Sequence, residues 1–454
     1  MRPSHPFLAN LISSALRLTL AVTVAIVLAA CPGLDPLLDR VQASTPHERY
    51  ARALQEAGLE EAALSTDWIA ASERALREAV VATLPFRETG YFAAAEVGAV
   101  GYRLSLRRGQ RLVVALTIEA ERPLRIFLDL FEVPADTSEE TDHVASAGDA
   151  EGRLDFEVER DGDYLLRLQP ELLRAGRYTV TIEGTASLAF PVVGKDSRAV
   201  ASFFGADRDA GQRQHQGIDI FAPRGTPAVA AASGIAWVGT NQLGGNVVFL
   251  RDAARGASLY YAHLDTQLVQ SGDLVRSGDT LGLVGNTGNA RTTAPHLHFG
   301  IYRRGEGALD PFPFVHTPRE APSVIAADTA LLGDWARVAR GSAELRLAPG
   351  ERATRVTTVG RHTPLRVHAA SGRWYRVTLP DGASGYVVAA ATEPAGTPTH
   401  TERHPSAAAL RERPSPAATV MDSIDAGERV PVYGRFNGFL YVRAPSGRAG
   451  WVED

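Results

Sequence analysis

His215-Gln-Gly-Ile-Asp219, Tyr261-Ala-His263-Leu264 and Pro295-His296-Leu-His298-Phe299 are the stretches that decide how this chain is read. A strand turns residues i, i+2 and i+4 to one face, so His215 with Asp219, and His296 with His298, are expected to point into one shared cleft. Two such strands would bring together three nitrogen or oxygen ligands and a neighbouring imidazole. Three ligands with a fourth position open are what a catalytic zinc requires, because the open position holds the water that the metal acidifies toward neutral pH. One histidine alone would be read as structural, but this order and context of side chains is read as a metal site. His143, His316 and His404 fall outside the pattern and are read as surface residues. Asp265, Asp279 and Asp310 are read as turn formers.

Around the histidines stand Ser202-Phe-Phe-Gly205, Ala222-Pro-Arg-Gly-Thr-Pro227 and Val284-Gly-Asn-Thr-Gly288. With these flanks, residues 195–316 resemble the lysostaphin/LytM-type zinc metallopeptidases, whose pattern is His-x-x-x-Asp, a later isolated His, and a His-x-His. The resemblance implies that His215, Asp219 and His298 hold Zn2+. It implies that His263 and His296 are the catalytic pair, which orients the metal-bound water, assists its deprotonation and stabilises the tetrahedral oxyanion. Which of the two is the base is left open. The implied activity is hydrolysis of peptide crosslinks or stem peptides of bacterial peptidoglycan. The rival reading is a non-catalytic, wall-binding regulator of another murein hydrolase; such members typically lose ligand positions, and this chain keeps them all. Gly225, Gly234, Gly244, Gly245, Gly285 and Gly288 are expected to form tight turns framing an open groove.

Working outward, 454 residues are too many for one core and suggest about three or four domains. A formal net charge of −5 leaves no basic footprint for nucleic acid, which is excluded as a partner class. The one cysteine, Cys31, rules out an intramolecular disulfide and a cysteine zinc site. Arg2 and Arg17 precede an apolar run from Leu18 to Ala30, too short for a comfortable membrane span and suited to an export signal. Leu28-Ala29-Ala30-Cys31 resembles a bacterial lipobox, which implies a membrane-anchored lipoprotein beginning at Cys31 and facing the periplasm or cell envelope. Export holds equally if a plain signal is cut after an alanine.

The chain is expected to be mainly β. Residues 1–30 are the signal, 31–46 a linker, and 47–85 a helical segment in which Leu54, Leu59, Leu64, Ile69 and Leu76 recur as on amphipathic helices broken near Gly58 or Ser65. From 86 to 190 alternation takes over, as in Leu112-Val-Val-Ala-Leu-Thr-Ile118 and Tyr178-Thr-Val-Thr-Ile182, which predicts an antiparallel β-sandwich resembling jelly-roll accessory domains. The acidic run Glu139, Glu140 and Asp142 is read as a solvated loop tip rather than a calcium site. Residues 191–318 form the antiparallel β peptidase domain and 319–334 a linker. Beyond it, Leu345-Arg346, Trp374-Tyr-Arg-Val377 and Gly385-Tyr386-Val387 return 65 residues later as Leu410-Arg411, Phe439-Leu-Tyr-Val442 and Gly450-Trp451-Val452. A constant offset marks two copies of one unit. They resemble bacterial SH3-type barrels, at 335–394 and 405–454, joined by a linker at 395–404. Trp374, Tyr375, Tyr386, Tyr441 and Trp451 are candidates either for contact with wall polymer or for the barrel cores.

Overall fold

The computed structural model describes residues 44–136, 140–148, 152–208 and 211–454. The export-type run, Cys31 with its motif, and Glu139 lie outside the described residues. The chain divides into two compact units, Met1–Leu59 and Glu60–Asp454. In the first, helix Pro46–Glu56 starts at Thr45, whose hydroxyl accepts from Glu48 N–H at 3.1 Å while the Glu48 carboxylate accepts from Thr45 N–H at 2.9 Å. This reciprocal cap satisfies backbone donors that a helix start leaves unpaired.

The second unit opens with helix Ala63–Arg77, which buries Trp68, Ala71 and Ala75. It lies on strands Val100–Leu106 and Gly162–Pro170, where the Trp68 indole donates to the Pro170 carbonyl at 2.8 Å. Gly101 is needed beneath it, because a Cβ there would stand 1.8 Å from the Ala75 carbonyl oxygen. Among the described residues no helix is long and apolar enough to cross a membrane.

The rest is strand, as the alternation predicts. One sandwich layer runs Val80–Val81, Val100–Leu106, Gly162–Pro170, Ile126–Glu132 and Asp142–Ser146. The other runs Phe86–Phe92, Gly176–Ala186, Gln110–Glu119 and Arg153–Glu157, and Tyr102, Leu104, Leu112, Leu130, Leu166 and Val180 fill the space between. This second layer continues into the first barrel: Thr89 and Gly90 pair with Ala370 and Ala369 on strand Pro364–Ser371, giving one 11-stranded sheet. Glu88 sits at that junction with 0% exposure. Its carboxylate accepts from Tyr102 at 2.6 Å, Tyr386 at 2.8 Å and the Arg376 guanidinium at 3.1 Å, so the buried charge is paired and hydrogen-bonded from both sides of the seam.

The repeat is real at the level of pairing. Arg346 pairs with Tyr386 in the first barrel and Arg411 with Trp451 in the second. In both copies a glycine admits the crossing: a Cβ on Gly385 would meet the Arg346 carbonyl at 2.6 Å, and one on Gly450 the Arg411 carbonyl at 2.8 Å. The barrel aromatics take the core role. Trp374, Tyr375, Tyr386 and Trp451 are buried and Tyr441 half-buried, so they offer no open platform for wall polymer. Phe436, Phe439 and Trp451 of the second barrel complete the core of the first.

A ten-stranded sheet has as its main path Val200–Ser202, Ile218–Phe221, His296–Arg303, Ala257–Gln267, Gly245–Asp252, Gly234–Asn241 and Leu274–Val275. Ile218, Ile220, Leu250, Leu259, Tyr261, Leu297 and Phe299 project from one face into the core. The alternate positions are free to build a site on the other face.

Candidate metal centre

Strands Ile218–Phe221 and His296–Arg303 run antiparallel with Asp219 directly opposite His298 and Phe221 opposite His296. Residues opposed in this way share a face, so the register alone brings Asp219 to His298. His215 arrives differently from the expectation that one strand carries it with Asp219. It lies outside any strand, after the short hairpin Asp207–Arg208 with Arg213–Gln214. Its N–H donates to the Ala206 carbonyl and its carbonyl accepts from Gly205, both at 2.8 Å, so the hairpin base rather than the sheet holds it. Gly217 then lets the chain cross under the site: a Cβ there would stand 2.7 Å from His298 Cε1 and 2.8 Å from its Nε2.

The three donor atoms converge. His215 Nε2 lies 3.0 Å from His298 Nδ1 and 3.0 Å from Asp219 Oδ1, and His298 Nδ1 is 3.0 Å from the same oxygen. His215 Nδ1 lies 2.9 Å from the Phe203 carbonyl, which can only accept, so in the neutral ring Nδ1 carries the proton and Nε2 presents a lone pair. Two acceptors, that nitrogen and the Asp219 oxygen, therefore face each other at 3.0 Å, an arrangement that a cation between them would stabilise. Among the described residues this is the one group of histidine, cysteine and acidic side chains gathered to hold a metal ion. Burial raises the pKa of Asp219, but the His215 and His298 rings set against its carboxylate more than offset this and hold the carboxyl well below the usual carboxylate range. Burial lowers the pKa of His298 against the pull of Asp219, which favours the neutral ring.

His263 and His296 stand beside this triangle, with ring centroids 5.0 Å apart. Each donates Nδ1–H to a backbone carbonyl, His263 to Thr287 at 2.9 Å and His296 to Ala294 at 2.9 Å, which leaves both Nε2 atoms free of these bonds. Burial, then repulsion from His296, pushes the pKa of His263 down to about 4, so its imidazole is neutral at pH 7. The backbone there is left-handed, φ +62°, at a bulge where the pairing shifts between Asn246 and Val248. Gly245 and Gly288 explain how that bulge is held: each has positive φ, and a Cβ on Gly288 would stand 2.4 Å from Gly245 N. The two glycine turns interlock, and the second carries the Thr287 carbonyl that orients His263.

Two contributors carry no chemical signal in the sequence. Arg208 donates through Nη2 to Asp219 Oδ2 and to Ser202 Oγ, both at 2.7 Å, bracing the Asp219 carboxylate from behind. Gly217 is the other. Of the remaining sequence readings, Asp310 accepts from Phe312 N–H at 3.0 Å and Asp279 from Arg276 N–H at 2.8 Å, as turn formers do, whereas Asp265 is a correction: it lies on strand Ala257–Gln267 and pairs with the Arg224 guanidinium. His404 is a correction: it is 5% exposed and lies against the Ser406 and Glu453 carbonyls inside the second barrel. The site opens into a cleft of about 1260 Å³ lined by Arg208, Arg213, Tyr260, Asn289, Thr293 and Tyr302.

A sheet-floored cleft with a His–Asp–His triangle and two further imidazoles is the architecture of a metal-dependent hydrolase. Residues 213–311 match the model of Peptidase family M23, and residues 341–392 and 406–454 match that of the bacterial SH3 domain. The chain thus carries an M23 peptidase domain followed by two bacterial SH3 domains. It is similar to the peptidoglycan DD-endopeptidase ShyC of Vibrio cholerae serotype O1, 40% identical over 115 residues, which are 24% of this chain and 26% of that protein. It is also similar to the L-Ala–D-Glu endopeptidase of Bacillus subtilis strain 168, 34% identical over 137 residues, 28% of this chain and 42% of the relative. The structure of the catalytic domain of lysostaphin from Staphylococcus simulans matches 25% of this chain and 90% of its own, at 33% identity and a TM-score of 0.24. The chain spans less than half the length of the two curated relatives.

Proposed function

We propose that this chain is a zinc-dependent endopeptidase that hydrolyses peptide crosslinks or stem peptides of bacterial peptidoglycan. The observation that carries the reading is the triangle of His215 Nε2, Asp219 Oδ1 and His298 Nδ1 with the Nδ1-anchored rings of His263 and His296 beside it. Zn2+ held by His215, Asp219 and His298 would supply a Lewis acid for the scissile carbonyl and lower the pKa of water. His263 and His296 do the proton work. Their Nε2 atoms face the same cleft, and the neutral His263 ring is able to take a proton from water and return it to the leaving amine. His296, whose Nε2 lies 4.0 Å from Asp219 Oδ1, assists in orienting the water and stabilising the developing oxyanion.

Action on the wall implies export, and we read Cys31 as the lipid anchor. Replacing Cys31 by Ser is expected to abolish lipid labelling and membrane retention; labelling that survives the change rejects the anchor. The site reading is tested by zinc stoichiometry measured beside peptide hydrolysis. His215→Ala, Asp219→Ala and His298→Ala should lose metal and activity together, whereas His263→Ala and His296→Ala should keep zinc while turnover falls roughly 10²- to 10⁴-fold. If His296→Ala empties the site as fully as His298→Ala, the division of roles is wrong.

A further inference from the structure

The sheet that carries the metal ligands also carries a row of aromatic rings. Trp237 stands directly opposite Phe249, Phe249 opposite Tyr260, and Tyr260 opposite Gly300, across four neighbouring strands. Opposed residues share a face, so the row lies on the face of His298, which precedes Gly300 by two positions on its strand. Trp237 is 53% exposed and Phe249 39% exposed. The Phe249 and Tyr260 rings are 4.7 Å apart, and Tyr260 meets His298 edge-on at 5.8 Å. Phe249 and Tyr260 line the metal cleft, and Trp237 extends the row past its rim, so this apolar surface is continuous with the candidate catalytic site.

We propose that the row seats the saccharide strand of the substrate, a β-linked N-acetylhexosamine chain, while the attached peptide enters the metal cleft; this rests on the peptidase reading above. Pyranose rings present flat C–H faces with polar edges, which suit aromatic side chains in the way other amphipathic rings do. No member of the row is ionised in the neutral range, and Gln242, at the hairpin end, offers a neutral amide for hydroxyl and acetamido groups, while Asn241 accepts from Gly244 N–H at 2.6 Å and donates to the Tyr260 hydroxyl at 3.3 Å, which fixes that ring. Three strand spacings put Trp237 roughly 14 Å from the ligand strand His296–Arg303. That is the reach of about four extended residues, so a short stem peptide bridges a sugar at Trp237 and a bond at the metal. The buried barrel aromatics offer no comparable surface.

The full-length, zinc-loaded protein carrying Trp237→Ala or Trp237→Tyr tests this, using purified sacculi, a sugar-free crosslinked peptide and a soluble N-acetylglucosamine oligomer. Trp237→Ala should raise KM on sacculi roughly three- to tenfold with kcat and peptide hydrolysis unchanged, and Trp237→Tyr should restore most of it. The oligomer should bind the wild type and bind Trp237→Ala more weakly by a similar factor. Equal losses on sacculi and free peptide would show that the row grips peptide, and an unchanged KM on sacculi that it grips nothing; either overturns the proposal. The oligomer arm needs no hydrolysis. A wild type that binds the oligomer through Trp237 but cleaves neither substrate defeats the peptidase reading alone, whereas an oligomer that does not bind overturns this inference whatever the activity.

Discussion

At His263 an L-residue is held in the left-handed region, φ +62°, which costs on the order of 1–3 kcal/mol at a non-glycine residue. The cost is borne where the ring has to reach the cleft while Nδ1 stays on the Thr287 carbonyl. His263→Gly is therefore expected to be inactive yet more stable to denaturant than His263→Ala by about 1 kcal/mol, since glycine removes the strain that alanine keeps. Equal stabilities would mean the backbone is not strained there. Arg208 gives a second expectation: Arg208→Gln should weaken zinc about 10- to 100-fold by chelator competition, because Asp219 Oδ2 loses its charged partner. Arg208→Lys should recover part of it, as a single nitrogen makes both of the arginine's contacts. His215, Asp219, His263, His296 and His298 stand out in the sequence because each is a chemically distinctive side chain at family spacing, and the structure brings them to one cleft. Arg208 was not, since an arginine in an arginine-rich chain carries no signal until the hairpin brings it behind Asp219. Gly217 lay inside a quoted motif, but its need is steric and appears only when His298 is seen 2.8 Å from its absent Cβ.

Among elements, the sandwich strands follow from period alone, because half-buried strands write alternation into the sequence, whereas the apolar positions read for the helices do not mark the buried face: Leu59, Leu64 and Ile69 are exposed, and Trp68, Ala71 and Ala75 pack inward. The expectation for His215 fails for a physical reason. Strand alternation was assumed across His215 to Asp219, whereas hydrogen bonds at the hairpin base occupy the His215 backbone and the strand begins only at Ile218. The glycine turns were legible as turns but not as a pair. Gly288→Ala tests the pairing: with φ +71° and Gly245 N at 2.4 Å from the new Cβ, the turns must part and the Thr287 carbonyl must leave His263. Turnover should fall while zinc stays bound at one per chain. Loss of zinc instead would mean the turns support the ligands rather than the catalytic ring.

For the whole molecule, the seam at Thr89–Gly90 with Ala369–Ala370 makes the first barrel part of the sandwich. No local pattern announces it: the partners are far apart in sequence, and nothing near Glu88, which is in phase with the inward Phe86 and Phe92, shows which cation meets its charge. Because Glu88 is fully buried, Arg376→Ala leaves a carboxylate without its counter-ion and should destabilise the protein by roughly 3–5 kcal/mol, whereas replacing both together by Gln and Met should cost much less. Truncation near residue 320 should likewise lower the unfolding midpoint of the sandwich, so lost wall binding in such a fragment would not by itself assign binding to the barrels. Metal-dependent peptide hydrolysis in one cleft is checked by incubating the full-length protein with purified sacculi after chelator stripping and after adding back one equivalent of zinc. The account predicts no release from stripped protein, and after zinc is restored the release of fragments that carry new peptide amino termini with the glycan intact. Release without metal, no release at full zinc occupancy, or cleavage of glycan bonds would contradict it.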